Sequence, residues 1–419
     1  MKILHINDIY RDFGGAERYL LNTCSALEDL GHIVVIISSS EGEKIHIPGR
    51  REYFLQPSWG IRSGLRLINA YKDIILKEDP DLIHLHNIHY FLSPPVIGAL
   101  HKVKPVVKFV HDVRLICPNG KKIIARSDSP CLLKAGFNCL KHGCIPILDR
   151  SFINMKEMGI FFYQLRSARG LNKMIVGSRY MYDELIKNGF EKGKVALIPC
   201  YTDKIENGFI DSAKRDDEYL ILCVGRFDGV KGIPQLIKSL ALIREKRWRA
   251  EIVGDGEYQD EAINLAKDLG LEKKISFLGR LTYKKLDDHY QNASLVVMPS
   301  IIPESFGLVG IEAMAFGKPV IAFDSGGVSE WLLDKETGFL VKRGDIYGLA
   351  RAIVNLLEDR GLAQRTGRRG KERVEALYRK ARHIDALIQI YHEVIEKRSL
   401  LNEKSTYDRN HRAGWFISC

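Results

Sequence analysis

Residues 295–327 read LVVMPSIIPESFGLVGIEAMAFGKPVIAFDSGG. An apolar run, Leu295–Pro299, ends at proline, and a polar turn at Pro303-Glu304-Ser305 follows. From Phe306 to Gly317 the only charge is Glu312. A second apolar run, Pro319–Phe323, then begins. Strand, buried helix and strand in that order predict a parallel sheet covered on both faces. A lone carboxylate inside a buried helix is costly unless something hydrogen-bonds it. The hydroxyls of a ribose would serve. Glu304 stands before the helix, where it could accept from sugar hydroxyls. The loop amides of Phe306, Gly307, Leu308 and Val309 would face a sugar and its phosphate. The bland alternative pairs both glutamates with internal Arg or Lys.

The same alternation extends outward in both directions. Strands are expected near Leu220–Gly225, Ala250–Gly254 and Ile275–Gly279, and helices over Leu349–Leu357 and Arg382–Ile395. In the first half, strands are expected at Lys2–Asn7, His32–Ser38, Leu82–His86, Val106–His111 and Met174–Ser178, with helices over Ala16–Leu30 and Leu65–Lys77. Residues 202–218 are polar and weakly patterned. A chain of 419 residues is too long for one ordinary core. We therefore expect α/β architecture in two doubly wound domains, 1–205 and 206–380. A helix over 381–397 should pack back toward the first domain, and 398–419 should form a basic, mobile tail. Ligands of such sheets bind outside the carboxyl ends of the strands.

One such end is Gly225-Arg226-Phe227-Asp228-Gly229-Val230-Lys231-Gly232, a glycine-rich turn between a strand and a helix. Exposed N–H groups and a helix start favour an anion there. Arg226 can fork onto two phosphate oxygens, and Lys231 supplies a point charge. No Walker GKS/GKT and no G-x-G-x-x-G is present. The donor-phosphate site is therefore expected between Gly225 and Glu330.

Composition bounds the alternatives. The apolar share is 45%, and no run approaches the roughly 18–20 residues of a spanning helix. The opening Met1–Ile6 is too short for a signal peptide, so a cytoplasmic protein is expected. The net charge of +11 is uneven: residues 1–200 hold 28 Lys/Arg against 19 Asp/Glu. That asymmetry fits solubility, an anionic acceptor, or peripheral contact with an anionic membrane. Lys102, Lys104 and Lys108 are candidate membrane contacts, as is the helix Phe152–Leu165, although packing on its own domain is the better reading of that helix. A nucleic-acid-binding protein is disfavoured, because basic residues are not interleaved with aromatics and no reader motif appears.

Of eight cysteines, Cys117, Cys131, Cys139 and Cys144 fall within 117–144, an irregular insert in the first domain. The spacings leave 13, 7 and 4 residues between them, unlike a zinc finger. One structural zinc, an iron–sulfur cluster, or four reduced thiols remain open. His84 and His86 alternate on a strand and share a face, with His89 following. His86 or Asn87 is a candidate acceptor contact at the cleft edge.

The PESFGLVGIEAMAFGKPVIAFDSGG segment with its Glu-x7-Glu spacing, the VGRFDGVKG turn, and GGAERYL near the N-terminus together resemble glycosyltransferase family 4 over nearly the whole chain, Lys2 to about Ile395. The resemblance implies a GT-B fold, a nucleoside-diphosphate sugar donor, retaining chemistry and no cofactor for catalysis. It assigns the donor diphosphate to Arg226 and Lys231, the transferred sugar to Glu304 and His111, and the ribose to Glu312. It brings Gly14 and Gly15 to the phosphates from the other domain. Arg280, in Gly279-Arg280-Leu281, would flank the base, and Gly254, in Gly254-Asp255-Gly256, would line the same cleft. His111-Asp112 through Cys117-Pro118 is similar to an HDxxxxCP segment of some relatives, which does not fix a metal ligand. The implied acceptor is a saccharide or a lipid-linked saccharide, as in cell-surface polysaccharide or glycolipid assembly. Another GT-B enzyme, such as a sugar-nucleotide epimerase or phosphorylase, is the nearest alternative; no lysine is marked for the pyridoxal a phosphorylase needs.

Overall fold

The computed structural model of the chain describes residues 1–11, 14–41, 45–57, 61–88, 95–127, 129–144, 152–204 and 218–414, without the side chains of 61–65, 95–96, 152–157 and 401–414. The polar stretch 206–217 and His89 lie outside these residues.

Two parallel sheets dominate. The first contains β1 (Lys2–Ile6), β2 (Ile33–Ser39), β3 (Arg51–Leu55), β4 (Leu82–Leu85), β5 (Val106–Val110), β6 (Lys173–Val176) and β7 (Val195–Leu197), in spatial order β3-β2-β1-β4-β5-β6-β7. The second contains β8 (Tyr219–Val224), β9 (Trp248–Val253), β10 (Ile275–Gly279), β11 (Leu295–Met298), β12 (Val320–Phe323) and β13 (Gly338–Val341), in order β10-β9-β8-β11-β12-β13. Every pairing is parallel. The strand order reverses at β1/β4 and at β8/β11, so each sheet has a switch point where a crevice opens.

The apolar runs explain the layers. Residues of β4, β5, β11 and β12 are buried throughout, as a sheet covered on both faces requires. Tyr71, Ile75, Leu100, Leu165 and Leu171 cover one face of the first sheet. On its other face, a cluster around Tyr19, Leu20, Phe109, Ile384, Leu387 and Tyr391 continues into the second domain through Phe306, Ile311 and Trp331. In the described part of the helix Phe152–Arg169, Phe161 and Leu165 are buried. That helix therefore packs on its own domain, and the membrane-dipping expectation for it has no support there.

The C-terminal helix spans Lys380–Gly414, so a regular helix occupies much of the stretch expected to be a tail. It returns to the first sheet. Tyr391 Oη lies 2.6 Å from His84 Nδ1, His383 Nε2 lies 2.7 Å from Tyr19 Oη, and Lys173 Nζ lies 3.1 Å from Glu393 Oε1. Lys108 is also inside the first domain: it is 1% exposed, and its ammonium donates to the carbonyl of His86. It cannot touch a membrane surface, which removes it from that expectation.

Candidate active site

The cleft between the sheets has a volume of about 1170 Å³ and is lined by residues of both domains. Its second-domain wall begins where β8 and β9 end side by side. Gly225 N donates to Val253 O (2.9 Å), Gly254 N to Gly279 O (2.8 Å), and Phe227 N to Asp255 O (2.8 Å). Two glycines of this wall have no space for a side chain. A Cβ on Gly254 (φ 142°) would sit 1.9 Å from Gly225 O, and one on Gly232 (φ 72°) would sit 1.7 Å from Pro299 O. Gly232 is also where the helix Ile233–Ala241 starts.

Lys231 reaches from this turn to Glu304, with Nζ 2.6 Å from Oε1. Ser300 Oγ donates to the same oxygen. Burial pushes the Glu304 carboxyl up; Lys231, Ser300 and the Arg226 charge more than offset this, so it lies below the usual glutamate value. Arg226 is paired with Asp228 (2.9 Å), and its side chain is 61% exposed. Arg280 forks onto Asp255 (3.0 Å from Nε), which holds it at the rim.

Gly307 (φ 97°) caps the helix Leu308–Ala315, and a Cβ there would meet Met298 Cε at 3.1 Å. Gly310 N donates back to Gly307 O (3.1 Å), while the N–H groups of Leu308 and Val309 are too early in the helix for an acceptor within it. Phe306, Gly307, Leu308 and Val309 all line the cleft. Trp331 anchors the loop by donating Nε1–H to Phe306 O (2.6 Å). Glu312 also lines the cleft and is 8% exposed. Its Oε2 accepts from the Tyr290 hydroxyl (2.9 Å). Among the described residues neither an Arg nor a Lys hydrogen-bonds it, and burial holds its carboxyl above the usual value despite Tyr290 and the Lys204 and Arg18 charges nearby.

The first domain closes over this wall. Gly14 (φ 93°) precedes the helix Gly15–Asp29, and a Cβ on Gly15 would meet Leu308 Cδ1 at 3.4 Å. Arg18 of the same helix stacks on Tyr283, 3.9 Å from the ring centre. His111 follows β5, and its backbone oxygen accepts from Ser305 Oγ (2.6 Å). Glu330 clasps the helix Arg179–Lys187, taking hydrogen bonds from Arg179 N (2.8 Å) and Tyr180 N (3.0 Å). The two domains thus touch on three sides of the cleft.

Gly14, Gly15, His111, Gly225, Arg226, Lys231, Gly254, Arg280, Glu304, the 306–309 loop and Glu312 converge on one cavity. His86 does not. It is fully buried behind His111, its Nδ1 3.0 Å from His111 Nε2, so it cannot contact an acceptor. Its neighbour Asn87 does line the cleft. Sequence reasoning also missed Arg11, Glu17 and Arg114, which line the first-domain wall, and Tyr290 beneath Glu312. Arg11 and Glu17 flank the Gly14-Gly15 turn already singled out, a proximity that would have found them. Tyr290 carried no signal.

The four insert cysteines are free thiols. Cys117 Sγ donates to Asn119 Oδ1 (2.9 Å), Cys131 Sγ to Leu133 O (3.9 Å) and Cys144 Sγ to Ile123 O (3.8 Å). Among the described residues, the His, Cys, Asp and Glu side chains gathered closely enough to hold an ion are His5, His84 and His86, whose ligand atoms lie within 4.8 Å of one another. The cysteines are not so gathered.

A sequence model described as Glycosyltransferase Family 4 matches residues 13–204, and one described as Glycosyl transferases group 1 matches residues 204–373. The chain is 30% identical over 352 residues to N-acetyl-alpha-D-glucosaminyl L-malate synthase of Bacillus anthracis, covering 74% of this chain and 90% of that protein. Its fold is similar to sucrose-phosphate synthase of Thermosynechococcus elongatus (TM-score 0.73, 25% identity, 94% and 99% of the two chains). It is similar again to Anabaena HepE in complex with UDP-glucose (TM-score 0.69, 20% identity, 95% and 99%). The two facing parallel-sheet domains are those of the GT-B fold. The chain belongs to glycosyltransferase family 4, and it is a transferase.

Proposed function

We propose that the chain is a retaining transferase that moves a hexose-type sugar from a nucleoside diphosphate to a saccharide or lipid-linked acceptor, in cell-surface polysaccharide or glycolipid assembly. The observation that carries this reading is the Lys231–Glu304 pair at the mouth of the Gly225 turn, with Arg226 beside it in the same cleft as the 306–309 loop. A leaving diphosphate gains negative charge as the glycosidic bond breaks. Arg226, Lys231 and the first-turn amides of Leu308 and Val309 offer positive partners there, and such preorganised groups stabilise the transition state more than the ground state. Glu312, with Tyr290 on one oxygen, keeps lone pairs for ribose hydroxyls.

Glu304 is already engaged by Lys231 and Ser300, which suits a carboxylate that orients sugar hydroxyls rather than one that attacks carbon. Retention then follows from front-face displacement, with a donor phosphate oxygen taking the acceptor proton. His111, on the first-domain wall, would contact the transferred sugar. HepE was crystallised with UDP-glucose, so UDP-sugars are the first donors to try. Peripheral contact with anionic membrane fits the charge asymmetry, through exposed lysines such as Lys102 rather than Lys108. Donor hydrolysis measured with UDP-sugars, GDP-mannose and ADP-glucose tests the reading; turnover of none of them, by a chain that binds no nucleoside diphosphate, would refute it.

A further inference from the structure

Behind His111 the first domain buries a file of histidines that the transfer reaction does not touch. His111 Nε2 faces His86 Nδ1 at 3.0 Å, and His86 Nε2 faces His5 Nδ1 at 3.0 Å. His5 and His86 are 0% exposed. His5 sits on β1 and His86 just beyond the end of β4. Each contact is of hydrogen-bonding length, and each needs one shared hydrogen. A neutral imidazole carries one N–H and one lone pair. The three rings must therefore be ordered together: every N–H points toward the cleft, or every N–H points away.

The end of the file decides between the two orders. His5 Nε2 is buried without a hydrogen-bond partner. Pointing inward would leave an N–H at that atom with nothing to accept it, and orphaned buried N–H groups are the rarer defect. Pointing outward leaves only a bare lone pair. The same rings are surrounded by His84, His383, the Tyr19 hydroxyl and Lys108, whose ammonium donates to His86 O, and the Arg50 charge acts on His5. The ammonium favours lone pairs over added protons, and burial keeps His5 and His111 neutral far below their ordinary range. The competing reading is a metal ion on His5, His84 and His86. Among the described residues no carboxylate or thiolate joins those three, and the Asp8 and Asp112 charges are already set against Lys108, so a dication would have three neutral ligands and no carboxylate of its own.

We infer that His5 and His86 are positioning residues: His5 Nδ1–H donates to His86 Nε2, His86 Nδ1–H donates to His111 Nε2, and His111 is thereby held with its one N–H on Nδ1. His111 is then a fixed hydrogen-bond donor to a substrate oxygen and not an acid or base. That consequence rests on the placement of His111 in the reaction; the tautomer itself does not.

The test is long-range nitrogen–proton NMR on the full chain labelled in histidine nitrogen, which reads each tautomer without turnover. The expected result is Nδ1–H on both His86 and His111. An Nε2-protonated His111 overturns the inference, as does one equivalent of zinc or cobalt bound by the wild type and lost in His84→Gln. In kinetics, His86→Leu should lower kcat about tenfold, one hydrogen bond's worth, with the donor KM unchanged. Its acid limb should move toward neutral, because His111 Nε2 is freed to take a proton. His86→Gln, whose amide can still donate, should restore both. A wild-type pH profile in a folded His86→Leu overturns the role, and if that variant does not fold, the wild-type spectrum decides.

Discussion

Replacing Lys231 with alanine separates the stability of the site from its chemistry. The pair it breaks is largely buried, with side-chain exposures of 24% for Lys231 and 13% for Glu304. Removing one partner of a buried pair costs about 3–5 kcal/mol, and residual solvent access here reduces that to about 2–3 kcal/mol. For a domain of this size the loss corresponds to about 5–10 °C in Tm. The sign with pH follows from Glu304. In the wild type its carboxyl lies below the usual value, so it stabilises the fold above about pH 4.5 and loses that contribution on acidification. Without Lys231 burial prevails and the carboxyl rises. Its charge then burdens the fold at neutral pH, and protonation relieves it. The Tm gap between Lys231→Ala and the wild type should therefore narrow as the pH falls from 7 toward 4.5. Adding Glu304→Gln to Lys231→Ala should recover most of the stability at pH 7 and none of the activity. Turnover should fall about 10²–10³-fold in either variant, the usual loss for one preorganised charge-stabilising donor. Differential scanning fluorimetry across pH, together with initial rates on the cleaved donor, measures both quantities. A Lys231→Ala protein with wild-type Tm at pH 7, or with a gap that widens in acid, would refute the reasoning; wild-type turnover would sink the assignment of the site.

Other expectations follow from the same structure. Gly254→Ala places a Cβ 1.9 Å from Gly225 O and should displace the Gly225 turn, weakening nucleotide binding in calorimetry more than it lowers Tm. Glu330→Ala removes the carboxylate that caps the helix Arg179–Lys187 across the domain interface, so it should lower Tm by an amount equivalent to about 1 kcal/mol and raise the donor KM; Glu330→Gln, whose amide keeps one acceptor oxygen and turns an NH2 toward the other backbone N–H, should not restore the wild-type Tm. His5 and His111 are pushed down to about 3 by burial, and His383 to about 4, against about 6.5 when unfolded. A depressed histidine gives its stabilisation above pH 6.5 and loses it on acidification, at up to about 1.4 kcal/mol per pH unit each. Tm should fall steeply between pH 6 and 4, and a flat Tm from pH 7 to 5 would contradict the burial of these rings.

Much of this arrangement was legible in the sequence, for identifiable reasons. Strands such as Leu295–Met298 and Val320–Phe323 are uninterrupted apolar runs, and the turns ending at Gly232 and Gly307 are marked by glycines at positive φ. What escaped had no such mark. The edge strand Arg51–Leu55 opens with Arg51 and Glu52, and Arg51 is held by Glu78 (2.6 Å) from the distant helix Ile61–Glu78. The helix Arg360–Leu377 buries Thr366, Gly367, Gly370 and Val374, a narrow seam of mostly small residues that hydrophobic periodicity does not register. A Cβ on Gly367 would lie 2.1 Å from Gly317 O, so the seam works by close approach. Glu312 announced itself as a buried charge. Tyr290, which meets it, looks like any tyrosine on the helix Tyr283–Asn292. His86 was misplaced because alternation along a strand gives the face of a side chain but not what covers that face; the covering residues are Tyr19 and, on the distant C-terminal helix, Tyr391 beside His84.

The return of the Lys380–Gly414 helix to the first sheet also bears on how the chain is made. Tyr391 and His383 close over rings carried by β4 and the helix Gly15–Asp29, more than 300 positions earlier. During synthesis that histidine-lined face emerges first and waits for its cover until residues 383–391 have followed it. The first domain cannot finish folding on its own schedule. Its exposed interior is a surface for chaperones to hold, and truncation after residue 380 should leave an aggregation-prone nascent product rather than a smaller stable protein.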